Sequence, residues 1–550
     1  MKLKEINDNS PLFSINTSYD SILNKNSISK DIRKIFRTNG IKLSDDISVI
    51  VEKAGIKWLI DDNITKQVYL AKLKFDKIVI YDNIHIGNQI VDAGLCVRCG
   101  ACEPACPVDI IKFDNNALPY ITNESLCITS CNRCLKVCPG EIVDYAQMDK
   151  EMFGQSPSPE SITGLARRAL VSYSNNEFIR KKGASGGFVT QLLVYLLENK
   201  IIDGALVLGS THKNGYEIKP LVARTTEELI AAQKSKYVVV PFLQPLEEIE
   251  NMEGNYAVVG IPCHIHSLRK YQKVSKKLRE RIKLVIGLYC NVAFEPYLIN
   301  DVLEFSGYKK EDVTEFEFRA GTWPGGVEIT SKDGNIHKPL KFEDMKDTFN
   351  SLKLFYTAPR CNMCIDFSAE HADISVGDPW LRGRDGKYLF TDGRTTVLTR
   401  TKYGDKIVDM AAEAGYIDIR EIPLKTWMVN FESHANYKRA LVPKVIILRK
   451  IFRLPFPKYS KDVHPGKYLD YIPTLIKTII LYISGKSKFF RKIGLTLLQT
   501  KLAITFFRWN RKRKEKHFSD YYNKLEKFVE KVEPKAHIYN EKTSEFSEVN

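Results

Sequence analysis

Eight of the chain's 12 cysteines lie between Cys96 and Cys138; none precedes Cys96 and none follows Cys364. They form two runs, Cys96-x2-Cys99-x2-Cys102-x3-Cys106-Pro107 and Cys127-x3-Cys131-x2-Cys134-x3-Cys138-Pro139. The flanks repeat as well, Pro107-Val108-Asp109-Ile110-Ile111 matching Pro139-Gly140-Glu141-Ile142-Val143. Three thiolates on one tight loop fit three irons of a cubane face. The fourth, placed beyond a turn at a helix start, points away and ligates the other cluster. This assigns Cys96, Cys99, Cys102 and Cys138 to one [4Fe–4S] cluster, and Cys127, Cys131, Cys134 and Cys106 to a second. Each proline removes a backbone donor and ends its loop. Paired zinc sites would use two C-x2-C pairs each and leave the third cysteine of each run without a purpose. The extra residue between Cys127 and Cys131 widens one loop but removes no ligand.

The rest of the chain must accommodate that block. Its 550 residues suggest roughly three or four units, and 44% hydrophobic against 27% charged residues excludes disorder as the main state. The net charge is +16, but residues 444–531 alone hold 22 Lys/Arg against 6 Asp/Glu. The basic character belongs to a tail, so a nucleic-acid-binding body is not expected. No apolar run is long enough for a membrane span, and the first residues lack an apolar signal core. A cytoplasmic protein is expected.

Residues 1–85 offer no chemistry. Ile50-Val51-Glu52-Lys53-Ala54-Gly55 reads as a helix end with a glycine cap, and Lys77–Tyr81 as a strand. Residues 86–150 form the cysteine block, with a Pro/Ser linker at 155–160. A strand–helix rhythm then begins: a helix over Phe188–Glu198, a strand at Gly204–Gly209, a helix opened by the capping box Thr225/Glu228, a strand at Tyr256–Val259, a helix at 264–271 and a strand at Leu284–Tyr289. This alternation predicts a largely parallel sheet. Residues 441–550 read as a helical basic tail whose apolar stretches, 472–483 and 495–507, are too short to span a bilayer. The last twenty residues read as disordered.

Four cysteines remain. Cys263 follows one predicted strand and Cys290 ends the next, so parallel neighbours would bring both to the C-terminal sheet edge, where α/β sheets hold ligands. Cys361-Asn362-Met363-Cys364 adds a close pair. Either these four hold a third cubane, or Cys263 and Cys290 are small buried hydrophobes. Lys181-Lys182-Gly183-Ala184-Ser185-Gly186-Gly187 precedes the Phe188 helix and could cradle a phosphate, or simply enter the helix.

In order and spacing, Lys182–Gly187, Ser235-Lys236-Tyr237, Gly260-Ile261-Pro262-Cys263, Gly287-Leu288-Tyr289-Cys290, Cys361–Cys364, Gly377-Asp378-Pro379-Trp380 and Gly393-Arg394-Thr395-Thr396 resemble the beta-subunit family of coenzyme F420 hydrogenases and dehydrogenases. The match covers about residues 165–410, roughly half the chain. Gly377-Asp378-Pro379-Trp380 departs from the Gly-Asp-Phe-Trp form of many members. The resemblance implies an α/β (α+β) fold: a flavin-binding mixed or parallel sheet domain at 165–440 behind a bacterial 2[4Fe–4S] ferredoxin-like domain. It implies FAD, with phosphates held by Lys182, Gly183, Ser185, Gly186, Gly187, Ser235, Lys236 and Tyr237, and a third cluster on Cys263, Cys290, Cys361 and Cys364. It implies electron passage between a hydride carrier, F420 in methanogens, and one-electron carriers such as ferredoxin. Similar enzymes reduce organic substrates with ferredoxin. No protein acid or base is assigned; His264, His266 and His371 read as structural donors. An electron-transfer subunit of a larger complex and a zinc-stabilised interaction module are the competing readings. The basic tail suits a membrane surface or an acidic partner.

Overall fold

The computed structural model describes residues 85–516 apart from 129–130, 158–162, 212–215, 342–344, 384–386 and 462–470. It also describes five strands and residues 37 and 43 before residue 85, and residues 523 and 527 after 516. The early strands form one antiparallel sheet, in the order Lys4–Glu5, Lys77–Tyr81, Gln67–Lys74, Lys57–Asp62, Ile47–Glu52. The strand at Lys77–Tyr81 matches expectation. The helix end expected at Ile50 is instead the strand Ile47–Glu52, paired with Lys57–Asp62. The β-branched segment Ile47-Ser48-Val49-Ile50-Val51 favours a pleated surface over a helix, where χ1 is restricted.

Eight strands build the main sheet: β1 (Arg168–Ser174), β2 (Gly204–Thr211), β3 (Glu217–Ala223), β4 (Tyr256–Gly260), β5 (Ile282–Leu288), β6 (Ile374–Gly377), β7 (Thr395–Thr399) and β8 (Ile417–Ile422). Their order is β3-β2-β4-β5-β6-β7-β1-β8. Neighbours pair in parallel only along β2-β4-β5-β6; β3 pairs antiparallel with β2, and β7, β1 and β8 each pair antiparallel with the strand before them in the sheet, so β1 runs in the same direction as the parallel four. The sheet is thus mixed rather than largely parallel. Continuous apolar strands such as Tyr256-Ala257-Val258 and Leu284-Val285-Ile286 need cover on both faces. Helix α1 (Phe188–Glu198) covers one face, with Phe188, Leu192 and Leu196 fully buried. The other is covered by Phe242, Leu246 and helix α2 (Pro262–Val274), and here the cysteine block packs through Ala101, Ala105 and Val137. The Thr225/Glu228 capping box forms as expected.

Helix α3 (Leu424–Ile451) runs straight through residue 441, where the basic tail was expected to begin. Beyond it, Lys458–Tyr459 pairs with Ile142–Val143 of the cysteine block. Helices α4 (Tyr471–Lys486), α5 (Lys488–Leu498) and α6 (Lys501–Lys516) follow. No helix among the described residues is long and apolar enough to cross a membrane. The expected linker falls partly, and the final twenty residues wholly, outside the described residues.

Candidate redox site

Each cysteine run closes on itself through its partner's fourth thiol. The thiols of Cys96, Cys99 and Cys138 all raise the Cys102 thiol electrostatically, after burial, the largest cause. Cys106, Cys127 and Cys131 stand in the same relation to Cys134, which is pushed up to about 12. Cys134 of the second run acts on Cys102 as well, so the two groups lie next to each other. Cys106, Cys127, Cys131 and Cys134 line a cavity of about 20 Å³. Amides turn toward sulfur, Arg98 N–H to Cys96 Sγ at 3.3 Å and Gly140 N–H to Cys138 Sγ at 3.3 Å. One local expectation fails: no helix starts at Cys106 or Cys138. A turn follows Cys106, with Asp109 at φ 49°. After Cys138, Gly140 lies so close to Leu95 O that an added Cβ would sit 2.8 Å away, which leaves a bend there rather than a helical turn. Residues 129–130, in the widened gap, lie outside the described residues.

The four scattered cysteines converge. Parallel pairing of β4 with β5 puts Cys263, near the start of α2, and Cys290, two residues past β5, at one sheet edge. The short 3-10 turn Pro359–Met363 delivers Cys361 and Cys364 to the same place. All four line one cavity of about 180 Å³, and Cys96 of the cysteine block lines it too. Burial pushes the Cys290 thiol up to about 12 and the Cys263 thiol well above its ordinary value, each raised further by its neighbours. Four thiols so placed favour a cationic occupant, which would draw them to thiolates. Ala293 N–H approaches Cys361 Sγ at 3.4 Å.

Two cations that sequence reasoning missed organise this cavity. Lys438, on α3, donates to Asp366 O at 2.5 Å and lies 3.6 Å from Cys364 Sγ. Burial alone would depress its ammonium, yet Cys364, Cys290, Cys361 and Asp366 hold it above the usual lysine value. Arg360, beside Cys361, donates to Leu95 O at 3.2 Å and Gly140 O at 3.0 Å in the cysteine block, and to Met363 O at 2.9 Å in its own turn. It thereby staples the Cys361–Cys364 turn to both cysteine loops. Nothing in the sequence marks either residue, since each is one basic side chain in an ordinary segment.

His264, His266 and His371 are buried, and His264 and His266 line the thiol cavity. His264 stacks on Phe242 at 4.7 Å, and burial takes it down to about 3. His266 Nε2 lies 3.1 Å from Asp366 and His371 Nε2 lies 3.1 Å from Asp149, all buried. His266, Asp366 and His371 lie close enough to converge on an ion, and the Asp366 carboxylate already accepts from the Ala369 and Glu370 amides at 2.8 and 3.1 Å. Glu370 meets Lys461 and Arg439, and Asp366 feels Lys438.

At the Gly-rich loop Gly186 and Gly187 take φ 77° and 73°, and Gly187 caps α1 without any side-chain cap. The amides of Ala184, Ser185, Gly186 and Gly187 donate to no protein group among the described residues. Lys182 and Lys234 lie close enough to act on Lys236, whose ammonium is lowered to about 8, burial being the main cause. Lys236 itself donates to Ala232 O at 2.9 Å and Gln233 O at 2.8 Å. Free amides and an uncapped helix start beside Lys182 suit a phosphate, while the Lys234 ammonium already meets Glu317 at 2.5 Å and the third bond of Lys236 goes to Lys234 O at 3.3 Å. The glycines, however, answer first to the fold. A Cβ on Gly186 would sit 2.8 Å from Gly393 O, one on Gly187 2.7 Å from Ile179 O, and one on Gly183 2.7 Å from Gly187 N. Ser185 bonds Arg394 O and accepts from Thr395. Ser235 is half-buried.

A third missed cation ties the remaining motifs together. Arg319, 3% exposed, donates to both Asp378 oxygens at 2.8 Å, to Tyr237 OH at 3.0 Å and to Ala184 O at 3.0 Å. Trp323 Nε1 also reaches Asp378, at 3.1 Å, and its ring lies 4.8 Å from that of Trp380.

Residues 169–247 and 253–425 match the N-terminal and C-terminal parts of the coenzyme F420 hydrogenase/dehydrogenase beta subunit, and residues 95–146 match a 4Fe-4S dicluster domain. The chain belongs to the coenzyme F420 hydrogenase/dehydrogenase beta-subunit family. The coenzyme F420 hydrogenase subunit beta of Methanothermobacter thermautotrophicus is 32% identical over 308 residues, 54% of this chain and 99% of that one. The coenzyme F420-dependent sulfite reductase of Methanocaldococcus jannaschii is 30% identical over 354 residues, 61% of this chain. The match spans 49%, about half, of that relative's length. The F420-reducing [NiFe] hydrogenase complex from Methanosarcina barkeri contains a chain 25% identical, aligned with a TM-score of 0.42 over 53% of this chain and 95% of that one. The family match covers the main sheet through β8 and the Arg319, Cys263, Cys290 and Cys361–Cys364 positions, whereas Lys438 and helices α4–α6 lie beyond it.

Proposed function

We propose that this chain is an iron–sulfur flavoprotein that passes electrons between a hydride carrier, coenzyme F420 or a similar molecule, and a one-electron carrier such as ferredoxin or a partner redox subunit. One observation carries the reading: Cys263, Cys290, Cys361 and Cys364 line the same cavity as Cys96. A cluster held by those four would abut the one held by Cys96, Cys99, Cys102 and Cys138, giving a continuous route into the dicluster domain. FAD would sit with its pyrophosphate on the Ala184–Gly187 amides and the Lys182 and Lys236 charges. When bound, FAD supplies the exchange between a hydride and single electrons, and the clusters supply one-electron storage. The chain's own part is to hold these groups, balance their charge through Lys438 and keep water from the buried thiols.

Anoxic purification followed by iron and flavin counting tests this. About twelve irons per chain, roughly four per cubane, with one FAD, and reduction of both by F420H2, is the expected result. About eight irons with no flavin would refute it. Flavin and clusters present but reduced only when a second protein is added would make the chain an electron-transfer subunit.

A further inference from the structure

Helices α4, α5 and α6 carry apolar side chains on two faces, and the body covers only one. On α4 the inward positions Thr474, Leu481 and Ser484 are buried. Ile472, Ile476 and Ile479, at i, i+4 and i+7, form the opposite stripe and are about half exposed or more. On α5, Gly494, Leu495 and Leu498 pack inward, with Gly494 against the Phe355 ring, while Arg491 reaches Asp301 at 2.5 Å. Phe489, Ile493 and Leu497 repeat the outward stripe, Phe489 being 75% exposed. On α6, Leu502, Phe506 and Trp509 continue it, Leu502 being 82% exposed. Three successive helices with an uncovered apolar stripe exceed what a soluble surface ordinarily shows.

The charge around the stripes is of one sign. From Tyr471 to Lys516 there are 12 Lys/Arg and one acidic residue, Glu515. We infer that α4–α6 form a docking face for an anionic lipid bilayer, lying in the plane of the membrane surface. Helices of 16, 11 and 16 residues are too short to span. Their Lys/Arg flank the apolar stretches, at Lys477 and Lys486 of α4, Lys488, Arg491 and Lys492 of α5, and Lys501 and Arg508–Lys516 of α6, so that basic side chains border an apolar stripe, the pattern of in-plane helices. Protein docking faces deplete lysine at their centre. Trp509, with Arg513 5.0 Å from its ring centroid, and the exposed Tyr482 are the aromatic types that settle at the headgroup level. The inference stands apart from the redox reading.

Vesicle flotation of the full-length holoprotein tests it, using phosphatidylcholine vesicles with and without phosphatidylglycerol. The expected result is flotation with the phosphatidylglycerol vesicles only, weakening as salt rises. The triple substitution Phe489→Ser, Leu502→Ser, Phe506→Ser should cut partitioning at least about tenfold. Because these side chains are exposed, iron content and circular dichroism should match the wild type. Wild type that stays at the bottom of the gradient, or a triple variant that floats as well as wild type, overturns the inference. Salt-dependent capture of an acidic clostridial-type ferredoxin without flotation would also overturn it, reassigning the face to a protein partner. Self-association lost in the triple variant, without flotation, would overturn it in favour of a second copy of the chain.

Discussion

Arg319→Ala removes the side chain on which the Gly-rich loop, Tyr237 and Asp378 converge. The guanidinium makes two bonds of 2.8 Å to the Asp378 carboxylate, one of 3.0 Å each to Tyr237 OH and Ala184 O, and one of 2.6 Å to Pro324 O. After truncation Asp378 keeps Trp323 Nε1 at 3.1 Å as a side-chain donor. Breaking a buried pair by removing one partner costs about 3–5 kcal/mol, because the other charge stays buried. The Asp378 side chain is 18% exposed, so water can reach part of it and the lower end of that range applies. Against a total stability of about 5–15 kcal/mol, the variant should fold with a clearly lowered urea midpoint. Its Ala184 carbonyl loses its anchor, so the loop that would hold flavin phosphate loosens, while the thiol cavity, held by Arg360 and Lys438, does not. Purified Arg319→Ala should therefore lose flavin at least about tenfold while keeping wild-type iron. Arg319→Met combined with Asp378→Leu should recover part of the stability, because no charge is left unpaired, without recovering flavin. An unchanged urea midpoint and full flavin in Arg319→Ala would refute the reasoning.

Cys361→Ser should lower the iron content by about four per chain and leave the dicluster signals in electron paramagnetic resonance intact; unchanged iron would return Cys263 and Cys290 to the role of buried thiols. Lys438→Met removes a cation 3.6 Å from Cys364 Sγ and should move that cluster's midpoint potential negative by on the order of 100 mV, read by redox titration. Lys236 gives a pH signature. It loses its proton near 8 in the folded chain and near 10.5 when unfolded. Between those values the unfolded state holds more protons, so the stability of flavin-free protein rises with pH, by at most about 1.4 kcal/mol per unit. Flavin affinity should fall over the same window as the ammonium is lost. Lys236→Met should abolish both slopes, and a wild type with the same pH profile as this variant excludes the group.

Local signals proved legible where one segment sufficed. The α1 boundaries follow from apolar spacing behind Gly187, and the dicluster block from the repeated cysteine spacing. Even the meeting of Cys263 with Cys290 was readable, since two parallel neighbouring strands leave their ends at one edge. What stayed hidden was each feature set by distant chain. The Cys138-Pro139 step makes a bend rather than a helix start, because Gly140 lies against Leu95. The strands of the β7-β1-β8 edge alternate in direction, with β1, first in sequence, inserted between β7 and β8, and no local pattern announces that.

The Gly-rich loop shows how the two kinds of information combine. From sequence, its glycines suggest a backbone cleared for a phosphate. In the structure the clearance at Gly186 is taken up by Gly393 and Arg394 of the segment entering β7, and that at Gly187 by Ile179. A Gly186→Val substitution therefore acts by prising two segments apart, not by filling a ligand's place. The loop's free amides point to a ligand only because that packing fixes them, and Arg319 holds them in register with Tyr237 and Asp378. Binding of an anion there, as proposed, would be coupled to the stability of the β7 edge. Any substitution that loosens flavin through this loop should also lower the unfolding midpoint, and one that loosens it through Lys182, on the solvent side, should not.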